Sequence, residues 1–160
     1  GRTRRMQLDM AKKYGIENPP NAGGGCLLTD PTFGLRAKDL FAHIETPTIN
    51  DIDLLKIGRH FRFDEQTKFI VGRNKDENEM IKAIALPGDI LLQARDHMGP
   101  ISILRGKNAY AHVKFASSIT LRYSDAPKGE QAVVIVNMDN TKEEVIAENA
   151  EESSYIQFRI

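Results

Sequence analysis

The chain has 160 residues, near the roughly 150 residues of an average domain, with 41% hydrophobic and 28% charged side chains. These proportions exclude disorder and a collagen-like architecture, and they leave enough apolar material for one buried core. Basic and acidic side chains number 22 each, so no net charge draws the chain as a whole onto a polyanion.

The balance is uneven along the chain. Arg2, Arg4, Arg5, Lys12 and Lys13 crowd the start, while Glu143, Glu144, Glu148, Glu151 and Glu152 crowd the end. Runs of this kind read first as solvated faces. No apolar run is long enough to cross a bilayer, and no apolar stretch follows the basic start as it would in a signal peptide. A single cysteine, Cys26, excludes an internal disulfide framework and fits a reducing compartment, so the expected location is the cytoplasm. Gly1 in place of an initiator methionine suggests a processed chain or a piece of a longer one.

In chain order, Thr3 to Tyr14 carries Met6, Met10 and Ala11 at helical spacing, with Gly15 as its stop. The run from Asn18 to Gly25, rich in proline and glycine, holds neither helix nor sheet and reads as a linker. Cys26-Leu27-Leu28 suits a short strand. Asp30 before Pro31 predicts a helix start, and that helix is expected to run to about Ile44 with Leu35, Ala37, Leu40 and Phe41 inward. A short helix opening at Asn50 and Asp53 follows. His60–Phe63 and Lys68–Val71 predict a hairpin across Asp64-Glu65-Gln66. Asn74 with Glu77 has the spacing of a capping box, opening a helix with Met80, Ile81 and Ile84 on one face. Strands at Asp89–Ala94 and Ile101–Leu104 flank a turn at Met98-Gly99-Pro100. Asn108 is expected to cap a helix to about Tyr123, with Ala109, Val113, Ala116 and Tyr123 inward, and 131–138, 143–148 and 153–160 suggest an antiparallel meander. The class is α+β: a small helical and loop N-terminal segment, then a mixed, largely antiparallel sheet domain with packed helices. A seam falls near 45–50, giving a linker and cysteine-loop segment over 1–48 and a second domain over 49–160.

Three sets of residues bear on chemistry. Cys26 follows three glycines that free the backbone to turn amides toward a thiolate, and the helix at Pro31 starts just downstream; a small buried hydrophobe is the competing reading. Gly72-Arg73-Asn74 with Asn78, Asp89 and Asp96-His97-Met98-Gly99 reads either as strand ends, caps and turns, or as a phosphate receptor in which Arg73, Arg95 and Arg105 gather near a helix start. His43, His60, His97 and His112 show no ligand spacing, and one cysteine does not complete a zinc site with them, so no metal is expected. No GxxxxGK[ST], GxSxG or GxGxxG loop occurs.

Gly1-Arg2-Thr3-Arg4-Arg5-Met6-Gln7, the stretch Pro19 to Asp30 with its AGGGCLLTD core, and Phe33 to Phe41 resemble the region after the ATP-binding domain of tRNA thiouridine synthetases, PP-loop ATPases similar to ThiI and to the tRNA 2-thiouridylases. Ile70-Val71-Gly72-Arg73-Asn74, Asn78, Asp89-Ile90-Leu91-Leu92, Asp96 and Gly99 resemble the NFACT-R RNA-binding domain. That module typically has an aromatic and a histidine where this chain has Leu91 and Gln93, and Gly-Ser-His where it has Gly99-Pro100-Ile101. The resemblances imply the C-terminal part of a tRNA-modifying sulfurtransferase. Cys26 would carry the persulfide, and ATP with Mg would act in a preceding domain, with no cofactor in this chain. The implied partners are tRNA and a sulfur donor such as a cysteine desulfurase, with no membrane. Arg2, Arg4, Arg5, Arg73, Asn74, Arg95 and Arg105 would meet RNA through shape and phosphate. A protein-interaction or dimerisation module, its acidic end facing a second copy or another protein, is the alternative.

Overall fold

The computed structural model describes residues 30–160, and these divide into two compact units with the boundary between Ile57 and Gly58. The expected helix at Thr3–Tyr14, the strand at Cys26 and the basic cluster Arg2, Arg4 and Arg5 lie outside the described residues.

In the first unit, helix α1 (Pro31–His43) starts where Asp30 accepts a hydrogen bond from the Thr32 amide at 2.8 Å. Its buried face is Phe33, Arg36, Ala37 and Leu40. The expected inner residues Leu35 and Phe41 point outward, at 56% and 37% exposure. Phe33, Ala37 and Leu40 stand at i, i+4 and i+7, the regular stripe of a helix, and the expected set straddled its edge. Helix α2 (Ile49–Leu54) is capped by Thr48, two residues before the expected opening at Asn50. The Thr48 hydroxyl accepts from the Asp51 amide, and the Asp51 carboxylate accepts from the Thr48 amide. Arg36 Nη1 donates to the Leu55 carbonyl at 3.0 Å, tying α1 to the end of α2.

The second unit is built on a six-stranded sheet: β1 (Arg59–Asp64), β2 (Thr67–Val71), β3 (Ile90–Ala94), β4 (Ile101–Gly106), β5 (Gln131–Met138) and β6 (Thr141–Glu148). Their order is β1-β2-β4-β3-β5-β6, and every neighbouring pair is antiparallel. Helix α3 (Lys75–Ile84) links β2 to β3, and α4 (Val113–Arg122) lies between β4 and β5. The class is α+β, as the alternation of periods predicts.

Directly paired residues share a face. Phe61, Phe69, Leu104 and Ile90 therefore line one side with Leu92 and Val136, and all are buried. Helix α4 places Val113, Ala116 and Ile119 in this same core. Thr120 bonds the Ser102 hydroxyl at 2.9 Å, which satisfies two polar groups inside it. Phe63 stacks on Phe69 with ring centres 5.3 Å apart.

Two expectations near the chain's end are corrected. The helix expected from Asn108 opens as a 3-10 turn, Ala109–His112, and Asn108 makes no capping bond; its amide reaches Gln66 instead. The third strand expected over 153–160 is instead helix α5 (Glu152–Tyr155) and a 3-10 turn (Ile156–Phe158), leaving a single bridge, Phe61 with Arg159. Tyr155 and Phe158 stand three residues apart and both meet the aromatic cluster edge-on, Tyr155 against Phe61 and Phe158 against Phe63. A helical turn delivers both rings to one side, whereas strand alternation would send them to opposite sides.

Phe69→Ala should cost about 3–5 kcal/mol in urea unfolding, and Leu35→Ala on the outer side of α1 about 0.5 kcal/mol or less.

Candidate nucleic-acid interface

The second face of the sheet is covered unevenly. Over β1, β2 and β4 it is closed: His60, Lys68, Ile70 and Ile103 are buried, and α3 packs on β4. Over β3, β5 and β6 it is open. Register assembles three rows there: Leu91–Asn137–Lys142, Gln93–Ile135–Glu144, and Arg95–Val133–Ile146. The last row is extended by the Arg95 amide, which donates to the Val133 carbonyl at 2.9 Å. Gln93, Asn137, Lys142 and Glu144 are exposed, the aliphatic side chains between them are half-buried, and Ile146 is 60% exposed. Amides and charges on such a face can hydrogen-bond the edges of unstacked bases, and the aliphatic side chains between them give an apolar surface for a base to rest on.

The positions at which the chain departs from the family pattern in β3 and β4 fall on or beside this face. Leu91 and Gln93 stand on it, and Ile101, paired with Gln93 through β4, is buried next to it. Where the NFACT-R pattern offers an aromatic ring and two imidazoles, this chain offers an aliphatic side chain, an amide and a second aliphatic. Hydrogen-bonding groups on this face then come from the neighbouring strands, in Asn137, Lys142 and Glu144.

The three arginines do not gather as the sequence suggested. Gly72 and Arg95 stand at the Ile101 end of β4, whereas Arg105 is paired with Lys68 toward the other end. Each arginine also has an acidic partner. Arg105 donates to Asp89 through Nε and Nη2, the latter at 2.7 Å, and both side chains are largely buried. Arg95 is held between Asp96 and Glu144, at 2.9 and 3.0 Å. Those carboxylates raise the guanidinium above its ordinary value, and Arg95 lowers Asp96 in return.

Arg73 forms a two-pronged pair with Glu77, at 2.9 and 2.7 Å, and its own amide donates to the same carboxylate. Asn74 caps α3 by accepting from the Glu77 amide at 2.9 Å, so the predicted box is half formed; the return bond goes to Arg73 rather than Asn74. Asn78 accepts from the Ile101 amide at 3.0 Å, and it lies so close to Gly72 that a side chain at that glycine would strike its Oδ1.

Three of the four histidines serve the fold. His43 bonds the Asp39 carbonyl, His60 is buried in β1, and His112 pairs with Asp64 at 2.6 Å. Among the described residues no group of three His, Cys, Asp or Glu side chains is placed to hold a metal, and no helix is long and apolar enough to cross a membrane. Cys26 lies outside them. Sequence reasoning missed Asn137, Lys142 and Glu144 as members of this face. Alternation along 131–148 signals which of them share a side, but not which strand they meet.

Burial pushes the Glu77 carboxyl up, but hydrogen bonds from the Arg73 side chain and from the Gly58 and Arg73 amides, with the Arg73 charge, outweigh it and bring the group from 4.5 to about 2. A depressed carboxyl stabilises the fold above its unfolded value, and that contribution is lost as pH falls from about 4.5 toward 2. With Arg73 half exposed, screening leaves about 1 kcal/mol. Glu77→Gln should flatten the acid limb of a stability-against-pH curve in that window.

No curated protein shows significant sequence similarity to the chain. Among solved structures it is similar to the C-terminal of the fibronectin/fibrinogen-binding protein from Streptococcus suis, at 16% identity and a TM-score of 0.54, over 65% of this chain and 50% of that one. At that identity the likeness is one of fold, and this chain spans half the length of that structure. The family model described as NFACT protein RNA binding domain matches residues 58–159, the whole of the sheet-bearing unit. With well over half of its length in that match, the chain belongs to the NFACT RNA-binding domain family.

Proposed function

We propose that the chain docks RNA on the open half of its sheet, with Gln93, Asn137 and Lys142 toward bases and backbone and Arg95 at the rim. The observation that carries this reading is the uneven cover: one sheet face is closed over three strands and bare over the other three, where the family-pattern positions Leu91 and Gln93 stand. Arg73, Asn74 and Arg105, held by their acidic and helical partners, fix the surrounding loops and add to the local field.

The finer reading is that the RNA is tRNA and that the chain works within a larger, cytoplasmic sulfurtransferase. Cys26 would carry sulfur as a persulfide, received from a donor such as a cysteine desulfurase, while ATP and Mg act in a domain outside these residues. The resemblance of the AGGGCLLTD segment to thiouridine synthetases supports this; such chemistry needs a low-pKa thiol. Arg2, Arg4 and Arg5 would extend the contact to RNA.

Titration of tRNA onto the chain at several salt concentrations should give log K falling with log salt at a slope of about −3 to −4. Arg95→Ala should weaken binding and flatten that slope by about one contact. Glu144→Gln, which releases Arg95 from one of its carboxylates, should tighten binding by about twofold to fivefold. No tRNA binding at low salt, together with a tight dimer in sedimentation equilibrium, would favour the protein-interaction module instead. In the intact protein, Cys26→Ser should abolish thiolated uridine while leaving tRNA affinity unchanged; full thiolation by that variant would remove Cys26 from the mechanism.

A further inference from the structure

At one end of the open face the sheet gives way to a groove of about 490 Å³ whose lining includes Leu86, Pro87, Asp89, Leu91, Asn137 and Asp139. The paired residues Leu91 and Asn137 bring it into continuity with the sheet surface. Its walls are tied in place. Asp89 accepts from the Leu86 amide at 2.8 Å and from Arg105, and the Gly88 amide donates to Asp139 at 2.9 Å, joining the loop before β3 to the turn between β5 and β6. Asp139 holds a left-handed backbone, φ 52°, a conformation that Asp and Asn tolerate better than most residues.

The charge of the lining is one-sided. The lining contains no lysine or arginine, and the charge of Asp89 is already met by Arg105. That leaves the Asp139 carboxylate, one oxygen of which holds Gly88, as the charged acceptor, with the side-chain amides of Asn137 and Asn140 beside it and an apolar wall of Leu86, Pro87 and Leu91. A phosphate is repelled by such a rim. A flat ring with an exocyclic amino group is matched by it, because a charged acceptor strengthens the hydrogen bond and the aliphatic wall takes the ring face. Lys142 stands in the same row as Asn137 on the neighbouring strand, placed to meet the phosphate attached to a seated base.

Resting on the RNA-docking reading, we propose that this groove seats one unstacked, amino-bearing nucleobase, cytosine, adenine or guanine, turned out of the docked strand. Cytosine and uracil have the same size, and their strands carry the same charge; they differ where an amino group replaces a carbonyl oxygen and in the neighbouring ring proton. Fluorescence anisotropy of the 160-residue chain with oligocytidylate and oligouridylate of equal length therefore isolates the seat. The cytidine strand should bind about tenfold tighter, the scale of one hydrogen bond to a charged group. Asp139→Asn keeps an acceptor for Gly88 and suits the same backbone, yet it should reduce that preference to about twofold or less without weakening the uridine strand. Equal binding of both strands by the unaltered chain would overturn the seat and leave the docking reading standing. So would a preference that survives both Asp139→Asn and Asn137→Ala. Binding of neither strand would overturn the docking reading and the seat with it.

Discussion

Helix α4 against one face of the antiparallel sheet is the contact on which the second unit depends. Phe61, Phe69, Leu92, Leu104 and Val136 reach the same side only because each pair of neighbouring strands is in a fixed register. A slip of one residue in any of them would turn a row of aromatic and aliphatic side chains to water. Alternation then dictates the opposite face. On β1, β2 and β4 His60, Lys68, Ile70 and Ile103 of that face are buried, while on β3, β5 and β6 amides and charges stand between half-buried aliphatics. The surface assigned to RNA is thus the reverse side of the core, and its geometry is inherited from the packing behind it.

The polar ties around that surface have a common form. An arginine, a helix start or a loop amide is held by a carboxylate from elsewhere in the unit: Glu77 for Arg73, Asp89 for Arg105 and the Leu86 amide, Asp139 for the Gly88 amide, Glu144 for Arg95. The result is a set of loops with defined positions but little free positive charge. For the proposed RNA contact this leaves amides, aliphatic side chains and few unpaired cations on the open face.

Much of the fold was legible in the sequence. Asp30-Pro31 marked a helix start, Asp64-Glu65-Gln66 a hairpin, and Asn74 with Glu77 a capped helix, because each signal is local and acts within a few residues. Two expectations failed where local signals are ambiguous. The segment 153–160 is too short for its periodicity to separate strand from helix, and its rings answer to Phe61 and Phe63, nearly a hundred positions earlier. Leu35 and Phe41 are apolar, but membership of the buried stripe on α1 is decided by rotation about the helix axis. The candidate site was legible only in part. Arg73, Arg95 and Arg105 were visible as cations, yet their partners are set by tertiary structure: Glu144 meets Arg95 across two strand pairings, and the same topology separates Arg105 from the other two.

Strand β6 is the outermost of the sheet, and its main-chain donors and acceptors on that side have no strand beside them. Exposed ladders of this kind recruit other chains unless something deters them. Lys142, Glu143, Glu144 and Glu148 lie along this border, and two copies brought edge to edge would set several carboxylates within reach of one another. The glutamates of this strand, which read at first as an ordinary hydrated stretch, therefore set like charges where a second edge would have to pair.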